Sequence, residues 1–498
     1  MSSASQHSRS GLNLPHVLVI GFTGHRQLPD ENRSRAAIRQ VLAEWKTRDP
    51  GAICGLSSAA SGADLLFAET CLELNLPLRI FLPMPSEQFR HDFDQPAWER
   101  AEHVVQAALS AEVIGAGAEP VERYYETGIE TVQQSQLLIA LWDGGPSQGL
   151  GGTADMVDFA LKLARPLIWI HSGTGEVRYF NDNPKLLRDP ELDFLNGLPA
   201  PAADLPSNTP YELVQSWLVK VDENASRLAP QFRRLAAIPI LCTAAAAILS
   251  GRSSFTGGAI FWLWLGTALG IMAAGLPYLM RLNRRQIAWT RARTAAEVCR
   301  SFLALWRTPA LYDAVGPETL PELAGMLHSL NFLKLLNRAS VRTSLEEFKR
   351  DYRRERVQHQ IAYFDRHAGH AARQIRKYRI FVAVSVCLGV ALNILILMNA
   401  HGLSHSIPLR WHPVLALVAT AGFQLATVAG ALLFVYDYQR RRERYRDLHR
   451  MLVQWDKQLE LSQTWPIVLR ITSLVERALL AELIEWRSLI RHRKVPDK

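Results

Sequence analysis

Leu235 to Leu279 reads LAAIPILCTAAAAILSGRSSFTGGAIFWLWLGTALGIMAAGLPYL, two apolar runs parted only by Gly251, Arg252, Ser253, Ser254, Phe255 and Thr256. The second run, Gly257 to Leu279, has about 23 residues without a charge, and roughly 20 suffice to cross the hydrocarbon of a bilayer. The first, Leu235 to Leu249, is only about 15 residues long and by itself suits a buried helix equally well. Arg233 and Arg234 lengthen it if their side chains snorkel, and the tight linker sends the two runs back to the same side. The pair therefore reads as a membrane hairpin.

A second pair lies further on, Ile380 to Met398 and Pro413 to Tyr436, joined by a short polar loop with His401, His405 and Arg410. Arg233, Arg234, Arg281, Arg284, Arg285, Arg376, Lys377, Arg379, Arg440, Arg441, Arg442 and Arg444 flank the runs on one side, against Arg252 and Arg410 on the other. The positive-inside rule places both termini and the segment between the hairpins in the cytoplasm, giving a multi-pass inner-membrane protein. The chain of 498 residues has 48% apolar residues and 56 basic against 47 acidic, a net charge of +9. Because the basic clusters sit where anionic lipid head groups would be, the excess argues against nucleic acid as a partner. Cys54, Cys71, Cys242, Cys299 and Cys387 form no CxxC pair, so neither a zinc site nor a disulfide framework is expected. The first 14 residues lack the apolar core of a secretory signal.

Ahead of the membrane runs the pattern changes. Apolar runs at His16–Gly21, Ala52–Leu56, Leu78–Leu82, Glu112–Gly115, Leu137–Trp142 and Pro166–Ile170 alternate with helical periodicity. The helices are expected through Ile38 to Trp45, after Asp64, and near Ala97–Ala108, Glu122–Ser135 and Ala154–Ala164. Such alternation predicts an α/β, Rossmann-like domain with a largely parallel sheet. Ligands of these sheets bind beyond the carboxyl ends of the strands, where glycine loops open onto helix N-termini that favour anions. Three loops qualify, Gly21 to Arg26, Ser57 to Asp64 and Gly149 to Thr153. They nominate Gly21, Thr23, Gly24, His25, Arg26, Ser61, Gly62, Asp64, Gly151, Gly152, Thr153 and Asp155 for a phosphate-bearing ligand. Each loop alone is also ordinary turn chemistry, Asp64 suits a helix N-cap as well as a ribose contact, and His25 equally suits a satisfied loop histidine. Asp64, Glu126, Asp155 and Asp158 are the possible acids or bases of a hydrolase, but no committed acid–base pair stands out.

The motifs GFTGHRQL, SGADLLFAE, RIFLP, LLIALWDG and GGTADMVDFA, in that order, resemble the SLOG superfamily of nucleotide-sensing domains over about Val17 to Ile170. The family's phosphoribohydrolases carry PGGxGTxxE with a catalytic glutamate. Here Met156 stands three residues after Thr153, so the resemblance implies the sensory branch, with a nucleotide-derived messenger as ligand and no further cofactor. TAAEVCRSFLALWR, YRRERVQHQIAYFDRHA, RRERYRDLHRMLVQW and VERALLAELIEW resemble SLATT membrane effector modules, which accompany SLOG domains in prokaryotic defence.

The expected layout is a SLOG-like domain over 1–175, a linker with a short helix over 176–226, and an all-α membrane domain over 227–498. Its four spans, in two hairpins, fall at about 233–250, 257–280, 380–398 and 413–436. Leu327, Leu330 and Leu333, and then Leu448, Leu452, Trp455 and Leu459, mark cytoplasmic helices that pack on each other, with homo-oligomerisation expected. Gly266 with Gly270 and Ala426 with Gly430 have the spacing of close helix contacts in a bilayer. His367 and His370 lie one turn apart without a nearby third ligand, so no metal is expected.

Overall fold

The computed structural model describes residues 12–48, 51–147, 149–181, 189–201, 203, 205–253, 259–281, 284–312, 314–315, 319–338, 343–401, 408 and 411–491. Contacts divide the chain into two units, Met1–Trp217 with Gly316–Val341, and Leu218–Val315 with Arg342–Lys498.

The first unit is built on one sheet. Its strands are β1 (Val17–Gly24), β2 (Ala52–Ser57), β3 (Leu78–Leu82), β4 (Ser110–Val113), β5 (Leu137–Trp142), β6 (Leu167–His171) and β7 (Val177–Phe180). They lie in the order β4-β3-β2-β1-β5-β6-β7. All neighbours are parallel except β6 and β7, so the sheet is mixed with a dominant parallel part. Helices cover both faces, which is why VLVI and LLIALW are apolar without alternation, and LRIFL is apolar apart from Arg79. On one face Leu18, Ile20 and Phe22 pack with residues of α1 (Glu31–Arg48), α2 (Ala63–Glu73) and α3 (Gln95–Ala107). On the other, Leu138, Ala140 and Leu167 pack with α4 (Pro120–Gln134) and α5 (Thr153–Lys162).

Three features depart from the sequence reading. The stretch 176–226, expected to be a linker with a short helix, carries β7 and the short helix α6 (Pro190–Asn196). β7 escapes an apolar-run search because it is an edge strand with three exposed residues in four. The end of that stretch is the start of a 44-residue helix, α7 (Pro210–Ser253), rather than a short helix. After α8 (Ala259–Arg281) and α9 (Arg284–Ala304), the chain reaches α10 (Ala324–Leu336), whose segment packs with the first unit rather than with the helices around it in sequence. Leu327, Leu330 and Leu333 are buried as their spacing predicts, and Phe332 closes a core of Val17, Val19, Cys54, Leu56 and Phe81.

The second unit is helical. α11 (Leu345–Tyr352), a π-helical segment Arg353–Gln358 and α12 (His359–Ala400) follow one another without a break. Then come α13 (His412–Val435), α14 (Tyr438–Leu461) and α15 (Trp465–Arg491). Glu476, wholly buried, accepts hydrogen bonds from Arg356 Nε at 3.0 Å, Arg356 Nη2 at 2.6 Å and the Tyr352 hydroxyl at 2.8 Å. Arg353 of the π segment donates to both Asp456 oxygens, at 2.8 and 3.2 Å. Leu448, Leu452 and Leu459 are buried and Trp455 half-buried, matching the heptad-like spacing.

The described residues contain two helices long and apolar enough to cross a membrane, within Leu345–Ala400 and His412–Leu461, at mean hydropathy 2.8 and 1.8. Only 11% and 28% of these apolar windows are buried. α12 and α13 approach through small residues: a Cβ at Gly389 would meet Phe423 at 3.0 Å, and one at Gly422 the Ser385 carbonyl at 3.1 Å. Four spans were expected. In the first hairpin the apolar described helices, Ala237–Ser250 and Ile260–Gly275, are shorter than a crossing requires. Gly266 does pack there, where a Cβ would meet Ser250 Oγ at 2.7 Å, whereas Gly270 and Gly430 face open space. Half of the tight linker, Ser254 to Thr256, and His405 and Arg410 of the second loop lie outside the described residues.

Candidate functional site

Strand order reverses between β1 and β5, because β2, β3 and β4 run out from one side of β1 while β5, β6 and β7 run out from the other. At such a reversal the loops after the two strands part and leave a crevice beyond their carboxyl ends. Here β1 leads into His25 and Arg26, β5 into Asp143, and the neighbouring β2 into Ser58 and the turn before α2.

These loops are stitched together by backbone. The Ala63 amide donates to the His25 carbonyl at 3.0 Å, and the His25 amide to the Leu141 carbonyl at 3.2 Å. Gly62 has φ +94° and a Cβ there would lie 2.2 Å from the Arg26 carbonyl oxygen, so only glycine lets the two loops touch. Gly24 is equally constrained, with Ala63 Cβ at 2.4 Å from any Cβ it might carry.

Side chains then converge. His25 Nε2 lies 3.1 Å from Asp143 Oδ1 and 3.2 Å from the Asp143 amide nitrogen. A ring protonated at Nε2 donates to the carboxylate, and one deprotonated there accepts from the amide. The Gly145 amide donates to Asp143 Oδ1 at 2.8 Å and, with His25 adding to it, holds that carboxyl below the usual range. Asp64 is buried, and burial pushes its carboxyl up to about 7. The Ser58 hydroxyl, which donates to it at 3.1 Å, the Gly24 backbone and the Arg26 charge oppose that shift without cancelling it. The Arg26 guanidinium stacks over Tyr124 of α4 at 4.6 Å, and the Tyr124 hydroxyl donates to Asp92. Burial and that Asp92 contact push the Tyr124 phenol far up, so it stays protonated.

Among the residues nominated from sequence, Gly24, His25, Arg26, Gly62 and Asp64 are thus brought together, with Ser61 half-buried in the turn before Gly62. Thr23 lies within β1, half-buried beside Ala140. Two expectations are corrected. Gly21 is buried inside β1, where a Cβ would meet Ser135 at 2.7 Å, so its role is close packing rather than ligand contact. Asp64 does not cap α2: Gly62 holds the cap position, and Asp64 accepts from Ser58 instead. Gly151, Gly152, Thr153 and Asp155 form a separate turn at the start of α5. Gly151, at φ +84°, backs onto Tyr125 and donates to Asp155 Oδ2 at 2.9 Å. Among the described residues no hydrogen bond or ion pair joins that turn to the His25 group.

The other carboxylates considered as acids or bases are occupied. Glu126 accepts from the Ala116 and Gly117 amides at 2.7 and 3.0 Å, and Asp158 pairs with Lys162 on the surface at 2.5 Å. Among the described residues no three His, Cys, Asp or Glu side chains gather as metal ligands. His367 Nδ1 lies 2.8 Å from the Tyr363 carbonyl, and His370 meets Gln374. Sequence reasoning missed Ser58, Asp143 and Tyr124. Asp143 carried a signal, a carboxylate and two glycines directly after an apolar strand; Tyr124 carried none, since its partner lies about 100 residues away along the chain. The chain matches no known family model and no curated protein.

Proposed function

We propose that this chain is a ligand-gated membrane effector, in which the first unit binds a nucleotide-derived signal and the helical unit permeabilises the inner membrane, in the manner of prokaryotic antiviral defence. One observation carries the reading. A single polypeptide joins a sheet with a polar crevice at its strand reversal to helices whose apolar sides are too extensive for water. Arg26 supplies a cation, loop amides supply donors, and Asp64 and Asp143 supply acceptors for a ribose or a base. The resemblance of the motifs around them to SLOG domains favours a nucleotide over other anions, and that of the C-terminal helices to SLATT modules favours an effector.

The proposal includes four spans in two hairpins, with both termini in the cytoplasm. Basic residues crowd the matching ends of all four apolar runs, and α8 exposes Ile260, Phe261 and Trp264 at 73, 62 and 72%. Lipid, a nucleotide-derived small molecule and further copies of the chain are its partners. Apart from Arg233 and Arg234 at the end of the first, the spans lack Asp, Glu, Lys and Arg, which suits a passive path better than a coupled pump.

A nucleotide screen by thermal shift on the full chain in detergent tests the binding half. One or more nucleotides raise the melting temperature of the wild type and not of Arg26→Ala. If every nucleotide leaves the wild type unmoved, the chain is a membrane scaffold and the reading falls. One observation favours a second reading, a membrane-tethered nucleotide hydrolase: Asp64 can keep a proton to about pH 7, as a general acid does. Product formed from a nucleotide panel and lost in Asp64→Asn would establish it.

A further inference from the structure

The helical unit holds a groove of about 1040 Å³ between α12 and α14, on the stretch just outside the two long apolar windows. Ala368, Gly369 and Ala372 of α12 form its floor, and Arg366, Arg373, Arg446 and Arg450 stand around it. Gly369 keeps the floor open. A Cβ there would meet nothing nearer than Arg373 Nη1, at 3.7 Å, so that guanidinium lies over the glycine one turn back.

Most of the charge in the groove is uncommitted. Arg450 pairs with Asp447, and Arg366 Nε donates to the Ala362 carbonyl at 3.1 Å. Among the described residues Arg373 and Arg446 make no hydrogen bond or ion pair, and neither do Asp365 and Glu443, which line the same groove. Three guanidinium groups without a carboxylate partner thus surround one space with two free carboxylates. That set leaves a place for an anion and acceptors for hydrogen-bond donors attached to it.

The groove lies at the edge of the apolar windows. Tyr378, Tyr436 and Tyr438 cluster where α12 enters its window and α13 leaves its own, with ring centroids 6.2 and 5.7 Å apart. Tyrosines gather where hydrocarbon meets head groups. Arg373 and Glu443 each lie five residues from the tyrosine on their own helix, Tyr378 and Tyr438, which is about 7.5 Å of helical rise. The head-group layer is about 5–8 Å thick, so the near end of the groove reaches its level. The face of α12 that carries Arg373 also continues inward. Beyond Arg376, the residues Ile380, Val384, Cys387, Ala391 and Ile394 recur at steps of three or four and are all exposed. An acyl chain lying on that stripe brings its head group to the groove.

We propose that the groove between α12 and α14 binds the head group of an anionic glycerophospholipid of the inner leaflet. Arg373 and Arg446 hold the phosphodiester by charge-assisted hydrogen bonds, Glu443 accepts from head-group hydroxyls, and an acyl chain lies along Ile380 and Val384. The surplus of cations favours a net negative head group over a zwitterionic one. This inference rests on the reading of α12 and α13 as spans and is independent of the nucleotide crevice.

Full-length chain in a neutral detergent, titrated with short-chain phosphatidylglycerol and followed by native mass spectrometry, tests the site. Wild type binds phosphatidylglycerol about tenfold more tightly than phosphatidylethanolamine. Arg373→Gln with Arg446→Gln weakens phosphatidylglycerol by about tenfold or more, because two charge-assisted contacts are lost. Gly369→Leu, which suits a helix, fills the floor and weakens it as much with every charge kept. Arg379→Gln with Arg440→Gln removes equal charge outside the groove and changes the affinity by less than about twofold, as does Arg26→Ala. Equal affinity for the two lipids, or equal losses in the groove pair and the outer pair, would overturn the proposal. Glycerol phosphate competing as well as intact lipid would make the groove a site for a soluble phosphate ester. Gly369→Leu separating oligomers with lipid affinity unchanged would make it the seat of a second copy, and either result overturns the lipid assignment. Recovery of the chain from membranes only with detergent tests the spans separately, so a failed lipid site is distinguishable from failed spans.

Discussion

The two units bury charge in opposite ways. In the first, the middle of the sheet is apolar on both faces, and its ionisable groups sit at the strand ends, Asp64 at the carboxyl edge and Arg79 at the amino edge. In the second, a bidentate Arg356–Glu476 pair with Tyr352 lies in the middle of the helix packing, while large apolar side chains such as Phe434, 86% exposed, lie outside. A sheet obtains its register from backbone ladders, so its core can be purely hydrophobic. Helices have no such ladder, and apolar faces alone permit several registers. A buried ion pair adds little net stability over an apolar substitute, but it allows one alignment only. The π-helical turn carrying Arg353 and Arg356 lies where that alignment is enforced, on the helix that leads into the first long apolar span.

The contrast can be broken first at the seam between sequence and structure. A fragment ending at residue 226 contains every strand but lacks α10, which leaves Val17, Val19, Cys54, Leu56 and Phe81 without the Phe332 lid. Losing Phe332 alone costs about 3–5 kcal/mol. Such a fragment is expected to lack a cooperative melting transition, and the same fragment with 316–341 appended through a flexible linker regains it, by calorimetry. A stable 1–226 fragment would mean that the first unit is closed without α10.

Next in size is the ionic node. Glu476→Ala strands a buried guanidinium and is expected to cost about 3–5 kcal/mol in chemical denaturation, whereas the paired replacement Arg356→Met with Glu476→Leu costs far less. If the double replacement is as damaging as the single one, the pair supplies stability rather than alignment.

The corresponding group in the first unit acts through pH. Asp64 has its carboxyl raised from 3.8 to about 7 in the folded state. Below that window both states hold the proton; within it only the folded state does, so the folded state loses stability as pH rises from about 4 to about 7. Asp64→Asn flattens this decline and leaves the protein more stable at neutral pH. A wild-type stability profile that is unchanged by Asp64→Asn across this range would show the carboxyl to be ionised throughout. The smallest effect is expected at Asp158, whose pairing with Lys162 is on the surface. Asp158→Ala should leave melting and ligand binding unchanged.

Much of the sheet was legible in the sequence because a parallel strand covered on both faces is apolar at nearly every position, Arg79 of β3 being the exception. β7 was not, since an exposed edge strand carries no such run. The periodicity of Leu327, Leu330 and Leu333 showed that α10 buries a face, but periodicity does not name what covers it, and sequence adjacency pointed to the wrong unit. Of the glycines nominated for the crevice, Gly24 and Gly62 lie where two loops touch, and Gly21 makes room for Ser135 inside β1. Tyr124 joins the site through folding alone, whereas Asp143 was marked by the two glycines that follow it after an apolar strand. The two later apolar runs were legible by length, while the first hairpin sits at the margin where length and composition stop deciding.

The central claim is that occupancy of the crevice in one unit changes the path through lipid made by the other. Dye release from vesicles of inner-membrane lipids containing the purified chain measures this directly, with the nucleotide that stabilises the protein added outside. Wild type is expected to release dye only with that nucleotide and Arg26→Ala not at all. Binding without release, in vesicles shown to hold the chain with its first unit outward, would contradict the account.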